Sequence, residues 1–286
     1  MRTLSIRFMR CMILMFLAGL LPARPAVAAS DRAVIILAQG GSPLWTRAVK
    51  RVVKAAKLPC PHVIFFGLGD TMVERTELQE DVLAMEGKGA HTIIVVPLLV
   101  SPFSKAARQW KYLFGVDVQP GFINIPLFPL EKHATIQFSD PLNDSAAAME
   151  ILLDRAHEIS SQPAKESVVI VANGPNDESD NRRWGRILQS LSEGVQKRGG
   201  YATVEGVTLR EDAPSVIRRQ SIQALRDRVE AIDREGRQTL IVLNTLTSDG
   251  LENRVDLELR GLNFALNTKA LMPDSRLSEW IRSQVP

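Results

Sequence analysis

Four polar side chains stand just beyond apolar runs of the sequence, where the chemistry of the chain is expected. Gln39 and Asn173 each follow a short continuous apolar run, while Lys105 and Glu252 lie a few residues beyond two further apolar runs. In open parallel α/β sheets, ligands bind outside the carboxyl ends of the strands. If the apolar runs are parallel strands of two facing lobes, the four side chains point into one shared cleft.

The residue types at these positions suit ligand binding better than proton transfer. A carboxamide such as Gln39 or Asn173 accepts no proton near neutral pH, and its oxygen is a poorer ligand than imidazole for Co²⁺, Ni²⁺ or Fe²⁺. The Lys105 ammonium repels a metal ion, but it can pair with a ligand carboxylate, as can Arg108 one helical turn further on. Glu252 is a usual metal ligand, and its alternative role is that of an ordinary acid at a helix N-terminus.

An acidic segment beside Asn173 offers further oxygen ligands. Asp177, Glu178 and Asp180 lie close together in the sequence and are predicted to form a loop. Such a loop either contacts a metal ion or ligand, or is solvated and has no binding role. Both interpretations are consistent with the sequence.

The four histidines of the chain are expected to lie away from the cleft. His62 and His91 stand at the amino-terminal ends of predicted strands, and His133 lies between the two halves of the chain. His157 lies within a predicted helix. Surface or packing roles are therefore expected for all of them. The sequence contains no HExxH, CxxC, P-loop or GxGxxG pattern, so zinc-peptidase, dithiol and nucleotide chemistry lack support.

Continuous apolar runs predict the strands that position the candidate residues. Ala33–Ala38 ends just before Gln39, and Val168–Ala172 ends just before Asn173. Short apolar runs bounded by glycine are typical of parallel strands that are buried on both faces. Each run is followed by a polar loop and then by an amphipathic helix that contains a tryptophan. The two halves of the chain therefore begin in the same way.

The same order of elements recurs further along both halves. An intermediate strand, a charged helix and a third apolar strand are predicted in each, which makes a weak internal repeat. This alternation predicts an α/β chain with two similar parallel-sheet lobes and a cleft between them. The matched pairs are His62–Phe66 and Thr203–Leu209, Thr71–Gly87 and Pro214–Glu235, and Thr92–Val100 and Thr239–Thr247.

A helix is predicted to connect the two halves. Ala146–Ile159 has apolar residues at helical spacing, and a polar segment that contains a proline follows it. We therefore expect one lobe on either side of this connection. The predicted divisions are a leader at 1–29, a first lobe at 30–145, a connecting helix and linker at 146–166, and a second lobe at 167–286.

The first 29 residues have the pattern of a secretory signal peptide. They hold four arginines and no acid, the apolar run Cys11–Leu21 and a small-residue stretch that ends at Ala28 and Ala29. This pattern predicts a cleaved leader and an exported, periplasmic protein. The apolar run is far shorter than the ~20 residues that span a bilayer, so the mature protein is not expected to be membrane-embedded. Removing the leader changes the formal charge from +3 to −1, and no basic tract that indicates nucleic-acid binding remains.

Several segments, in order and with matching spacing, resemble one known family. The strongest correspondence lies in the second half, and the first half agrees through AVIILAQGGSP and IIVVPLLVSP. The chain resembles the tandem-repeat sirohydrochlorin cobaltochelatases, the CbiX type of class II tetrapyrrole chelatases. The segments that carry the resemblance are MEILLDRAHEIS (Met149–Ser160), VVIVANGPNDESDNRRW (Val168–Trp184), VTLREDAP (Val207–Pro214) and LRGLNFALNTKALMPDSRLSEW (Leu259–Trp280).

The resemblance implies two chelatase-like, flavodoxin-like lobes and insertion of a divalent metal into a tetrapyrrole without a nucleotide. Co²⁺ is the implied metal substrate, with Ni²⁺ or Fe²⁺ as alternatives. The family carries metal-ligating histidines where this chain has Gln39, Asn173 and Lys105, and Glu252 stands at the fourth corresponding place. Imidazole both holds such metals and accepts protons near neutral pH, so these replacements predict weak or lost activity.

Three hypotheses follow from the sequence. The first is an exported chelatase that still inserts metal, with Glu252 as a metal ligand and with Lys105 and Arg108 binding tetrapyrrole carboxylates. The second is a non-catalytic periplasmic protein that binds a tetrapyrrole or a metal in the same cleft. The third is a structural or partner-binding protein whose cleft takes no ligand.

Overall fold

The computed structural model describes residues 30–121, 127–247 and 250–285, and the predicted leader at 1–29 lies outside them. These residues form two lobes, each built on a four-stranded parallel sheet. The elements of the first lobe are β1 (Arg32–Ala38), α1 (Pro43–Ala56), β2 (His62–Phe66), α2 (Met72–Gly87), β3 (Thr92–Pro97), α3 (Lys105–Leu113) and β4 (Thr135–Phe138).

The second lobe repeats this pattern after a helix and a single 3₁₀ turn at Pro163–Lys165. Its strand order, β6-β5-β7-β8, matches the order β2-β1-β3-β4 of the first lobe. The predicted α/β fold with two parallel-sheet lobes is thereby confirmed. The elements are α4 (Ala146–His157), β5 (Glu166–Ala172), α5 (Glu178–Gly199), β6 (Thr203–Thr208), α6 (Ser215–Arg234), β7 (Gln238–Leu243), α7 (Leu251–Glu258), β8 (Phe264–Leu266) and α8 (Ser275–Ser283).

The apolar runs of the central strands reflect burial on both faces. Along β1, Val34 and Ile36 enter a core shared by the two lobes, while Ile35 and Leu37 enter a core that belongs to the first lobe. The alternate residues of β5 divide in the same way between the shared core and a core of the second lobe. Successive side chains of a strand point to opposite faces, so a strand covered on both sides needs an unbroken apolar run.

The two lobes exchange helices. Helix α4 follows the last strand of the first lobe but packs against α5 and β7 of the second, and α8 follows the last strand of the second lobe but packs against α1 of the first. The segment predicted as a connection at 146–166 is therefore partly a structural element of the second lobe. This exchange joins the lobes around the shared core. No helix among the described residues has both the length and the apolar character needed to cross a membrane.

The structure corrects several predicted bounds. The apolar runs Thr92–Val100 and Thr239–Thr247 were predicted as strands to their ends, but β3 stops at Pro97 and β7 at Leu243. The residues just beyond these strand ends are still buried, and several of them line the cavity between the lobes. The short strands β4 and β8 were not predicted, because half-buried edge strands of three or four residues carry little periodic signal. The helix α8 was not predicted either.

Candidate functional site

A cavity of about 400 Å³ lies between the lobes. Residues that follow β1, β3, β5, β6 and β7 line it, so it occupies the carboxyl ends of the central strands of both sheets. In the flavodoxin-like strand order, the neighbouring strands β1 and β3 flank the point where ligands bind. The volume lies within the range of roughly 300–1,000 Å³ that is typical of small-molecule sites.

The structure brings Gln39 and Asn173 together at this cavity, one from each lobe. Both side chains are exposed at the surface of the cleft. Lys105 lies immediately after the lining residue Ser104, and Glu252 lies immediately after the lining residue Leu251. Of the four predicted positions, Gln39 and Asn173 line the cavity, and Lys105 and Glu252 are sequence neighbours of lining residues.

Glu252 is engaged by the start of its own helix. The backbone N–H of Gly250 donates a hydrogen bond to Glu252 Oε2 at 3.1 Å, and the Asn253 amide donates to Oε1 at 3.3 Å. A carboxylate in the first turn interacts favourably with the helix N-terminus. This is the alternative role that the sequence allowed for Glu252. The preceding residues Ser248 and Asp249 lie outside the described part of the chain.

The described residues contain no group of three or more His, Cys, Asp or Glu side chains that could hold a metal ion. His62 and His91 stand at the amino-terminal ends of β2 and β3, opposite the cleft, as predicted. His133 pairs with Glu86 at 3.3 Å on the surface, where its side chain is 92% exposed. Within the described chain, a metal ion in the cleft would thus rely on few protein ligands.

Arg108, predicted to bind a ligand carboxylate, pairs with a buried acid of the other lobe. Its guanidinium donates to Asp180, whose side chain is only 4% exposed. Arg183 donates to the same carboxylate and lies over the ring of Phe103, 4.9 Å from its centroid. These contacts tie α3 of the first lobe to α5 of the second at the edge of the cleft.

The acidic segment that was predicted as a loop is the beginning of α5. Asp177 caps this helix by accepting a hydrogen bond from the backbone N–H of Asp180 at 2.9 Å. The Ser179 hydroxyl and the Asp180 backbone N–H lower the pKa of Asp177. Glu178 and Asp180 are both bound to arginines. The three acids therefore have structural partners in the fold.

A buried arginine holds the loop that carries Asn173. Arg210 donates through Nε to the carbonyl oxygen of Pro175 at 2.7 Å, and it also donates to the carbonyl oxygen of Asn176. Its side chain pairs with Glu178 at 2.7 Å while its own backbone is left-handed, with φ of 55°. The guanidinium thereby fixes the start of α5 against the end of β6.

Two carboxylates that sequence reasoning missed line the cavity. Glu211 and Asp212 lie three and four residues beyond the end of β6, and both belong to the VTLREDAP segment. Arg254 Nη1 contacts both carboxylate oxygens of Glu211, at 3.1 and 2.8 Å. The backbone N–H of Glu211 also donates to the carbonyl oxygen of Asn173 at 3.0 Å. The position of these acids just after a predicted strand was the signal that identified Gln39, and it applies equally to them.

Asp212 is a cavity-lining acid whose ionisation is affected by the surrounding protein. Its residue is exposed to the cavity, yet the surrounding protein is close enough that burial raises the pKa of its carboxyl group. The positive charge of Lys105 and a hydrogen bond from the Lys105 backbone N–H offset part of this rise. Asp212 of the second lobe thus meets Lys105 of the first across the cleft.

Two tryptophans, one from each lobe, line the cavity. Trp45 Nε1 donates to the carbonyl oxygen of Gln39, which fixes the turn after β1. Trp184 is 3% exposed, and its Nε1 has no hydrogen-bond partner among the described residues. Indole fluorescence therefore reports directly on what enters the cleft.

No family model and no curated protein matches this sequence. Solved structures that share its fold include SirB and DR2241. The structure of SirB from Bacillus subtilis with Fe³⁺ is 17% identical, with a TM-score of 0.60 over 89% of this chain and 96% of that one. DR2241 from Deinococcus radiodurans is 15% identical, with a TM-score of 0.53 over 89% of this chain and 54% of that one.

The relation to DR2241 covers only part of that protein. DR2241 is described as a multi-domain protein with structural similarity to chelatases and with two additional novel domains, and this chain spans about half its length. The match to SirB, by contrast, extends over nearly the whole of both chains. At these levels of identity the comparisons establish architecture. The chain has a two-lobed, chelatase-like α/β fold.

Proposed function

We propose that this protein binds a tetrapyrrole in the cavity between its lobes and inserts a divalent metal into it without a nucleotide. The observation that carries the proposal is the cavity itself, which lies at the carboxyl ends of the central strands of both sheets in a chelatase-like fold. Sirohydrochlorin is the proposed tetrapyrrole, and Co²⁺ is the proposed metal substrate, with Ni²⁺ and Fe²⁺ as alternatives.

The surface of the cavity supports a flat, partly apolar ligand with polar edges. Leu99, Val100 and the two tryptophans supply apolar surface, and Gln39 and Asn173 supply hydrogen-bonding groups. Such a combination is usual for small-molecule sites. Lys105 stands at the margin, where its ammonium group can pair with a carboxylate of the tetrapyrrole.

A second candidate function is binding of the tetrapyrrole without metal insertion. It is favoured by Gln39 and Asn173, which replace imidazoles with groups that neither accept protons near neutral pH nor hold these metals well. The absence of a three-ligand metal cluster among the described residues also favours it. An assay of metal insertion into the tetrapyrrole distinguishes the two candidate functions.

The deciding experiment mixes the purified protein with sirohydrochlorin and Co²⁺ and follows the absorbance of the tetrapyrrole. Saturable turnover supports metal insertion, whereas saturable quenching of tryptophan fluorescence without turnover supports binding alone. If neither the tetrapyrrole nor Co²⁺, Ni²⁺ or Fe²⁺ changes fluorescence or melting temperature, both candidates are wrong. Gln39→His and Asn173→His are the informative variants, because each restores an imidazole that raises turnover if proton or metal affinity limits the reaction.

The role predicted for Glu252 is tested in the same assay. If Glu252 supplies a metal ligand, Glu252→Ala raises the Co²⁺ concentration needed for half-maximal turnover and leaves the tetrapyrrole affinity unchanged. If Glu252 only stabilises the start of α7, the variant loses about 0.5–1 kcal/mol of stability and keeps its metal dependence. Asp256→Ala, a change at an exposed acid of the same helix, is the matched control.

We also propose that the protein is exported to the periplasm. The proposal rests on the arginines, apolar run and small-residue stretch of residues 1–29. Cell fractionation and the N-terminal mass of the isolated protein test it. An N-terminus at residue 29 or 30 in the periplasmic fraction is the expected result, and an unprocessed chain in the cytoplasmic fraction contradicts it.

A further inference from the structure

The two adjacent acids of the cavity occupy different electrostatic environments. Glu211 accepts two contacts from the Arg254 guanidinium, at 3.1 and 2.8 Å. Asp212 receives a backbone hydrogen bond from Lys105, but burial dominates and raises its pKa. Neighbouring carboxyl groups whose environments differ in this way commonly divide acid–base roles in active sites.

The charged groups around Asp212 come from three elements. Lys105 begins α3, Glu211 lies in the same loop as Asp212, and Arg254 belongs to α7. Since Glu211 and Arg254 largely neutralise each other, Lys105 is the charge that acts on Asp212 most directly. Asp212 therefore remains an ionisable carboxylate that is open to the cavity.

Metal insertion needs a proton acceptor, and Glu252, the one carboxylate among the four predicted positions, already accepts hydrogen bonds from the Gly250 N–H and the Asn253 amide at the start of α7. Gln39 and Asn173 are neutral amides, and a lysine ammonium such as Lys105 has no free electron pair. The acid Glu211 is held by its arginine. Asp212 is the carboxylate in the described cavity that keeps an accessible lone pair and a raised proton affinity.

We propose that Asp212 accepts the pyrrole protons that are released when the metal enters the tetrapyrrole. This inference rests on the proposed function, and it assigns the proton chemistry of the cleft to the second lobe. Two N–H bonds of the macrocycle break as the divalent metal binds its nitrogens, so two protons leave for one metal ion. An oxygen of Asp212 takes the first proton, passes it to solvent at the open side of the cavity, and then takes the second.

The first lobe offers a matched control for this assignment. The Gly67 backbone N–H donates to the Ala38 carbonyl oxygen at 3.0 Å, and the Leu209 N–H donates to the Ala172 carbonyl oxygen at 2.9 Å. These two hydrogen bonds mark corresponding positions, so Asp70, three residues after Gly67, corresponds to Asp212. Asp70 is half-buried and lies outside the set of residues that line the cavity.

The test measures kcat and KM for Co²⁺ insertion into sirohydrochlorin between about pH 5 and pH 9, together with metal-free tetrapyrrole affinity from tryptophan quenching. Asp212→Asn is expected to lower kcat about 100-fold or more and to abolish the acidic limb of the pH profile, with the tetrapyrrole Kd changed by less than about twofold. Asp212→Glu should retain the acidic limb. Asp70→Asn should behave as the unaltered protein.

Two results overturn the inference while leaving the proposed function in place. One is an Asp212→Asn variant with unchanged kcat and pH profile. The other is a loss of tetrapyrrole affinity large enough to explain the entire fall in turnover, since Asp212 would then act in binding. A complete lack of turnover by the unaltered protein at every pH overturns both the inference and metal insertion. Circular dichroism of each variant shows whether it is folded.

Discussion

The two lobes have the same strand order, yet the loop after the second strand has a different role in each lobe. In the first lobe this loop contains Gly67 and Gly69, and the Glu74 carboxylate accepts hydrogen bonds from the backbone N–H groups of Leu68 and Gly69 at 3.0 and 2.8 Å. The first lobe therefore uses a carboxylate to hold its own backbone. The side chain occupies the space beside Gly67, where an added Cβ would lie 2.8 Å from the Glu74 carboxyl carbon.

In the second lobe the corresponding loop presents its acids to the cavity. Glu211 and Asp212 line the cleft, and the buried Arg210 takes over the structural role by binding the carbonyl oxygens of Pro175 and Asn176. The difference shows how a repeated fold becomes asymmetric. The strands and their hydrogen-bond pattern stay the same, while the first lobe uses an acid to support its backbone and the second lobe places its acids in the site.

The largest expected effect comes from removing the support of the second lobe. Arg210→Ala eliminates hydrogen bonds to two carbonyl oxygens and the pair with Glu178 at a position that is only 6% exposed. We expect a loss of about 3 kcal/mol in the free energy of unfolding, because buried acceptors lose a charged donor. Urea denaturation measures it.

The corresponding change in the first lobe gives a loss in the free energy of unfolding with which the effect of Arg210→Ala is compared. Glu74→Ala removes the acceptor of two backbone N–H groups at a half-buried position, so a loss of about 1–2 kcal/mol is expected. Glu74→Gln, which keeps a carbonyl oxygen, serves as the conservative variant. Equal losses for Arg210→Ala and Glu74→Ala would contradict the proposed difference between the two loops.

A smaller effect distinguishes the two tryptophans of the cleft. Trp45→Phe removes a hydrogen bond to the Gln39 carbonyl oxygen, whereas Trp184→Phe removes an N–H group that has no partner in the described structure. Both side chains are buried, so the loss of apolar area is similar. We therefore expect Trp45→Phe to cost about 1 kcal/mol more than Trp184→Phe in thermal unfolding. The reverse order would show that Trp184 has the more important polar contact.

The smallest effect concerns Asp212 and the pH dependence of stability. Since its folded pKa is raised, its contribution to stability is fully present below the unfolded pKa and is lost as the pH rises through the folded value. Asp212→Asn removes this ionisation, so its melting temperature should exceed that of the unaltered protein at neutral pH, and the difference should shrink at acidic pH. Parallel melting curves at every pH would argue against a raised pKa for Asp212.

The sequence predicted the fold better than it predicted the site. The strand His62–Phe66 has the predicted bounds, and the helix at Met72–Gly87 begins one residue later than expected. Gln39 and Asn173 were found because each follows a long apolar run that is buried on both faces. Asp212 was missed because the strand before it is only half-buried, so the run of apolar residues in its sequence is less continuous.

The residues that surround the cleft also acquire partners that sequence order does not reveal. Arg108 binds Asp180, and Lys105 meets Asp212, in each case across the two lobes. From the sequence, Lys105 and Arg108 were predicted to bind carboxylates of a ligand. The exchange of α4 and α8 between the lobes brings distant parts of the chain together, and local patterns carry no information about such contacts.

The sequence by itself determined two parallel-sheet lobes, the order of their elements and the strand ends where a ligand site belongs, because burial on both faces imposes unbroken apolar runs. Only the tertiary structure decided how the charges are distributed: Glu252 with its own helix, Arg108 with a buried acid of the other lobe, and Asp212 open to the cavity. Whether an apolar side chain is buried follows from its residue type and from the spacing of apolar residues along the chain. The behaviour of a charged side chain depends on which partner the folded chain places within a few ångströms of it.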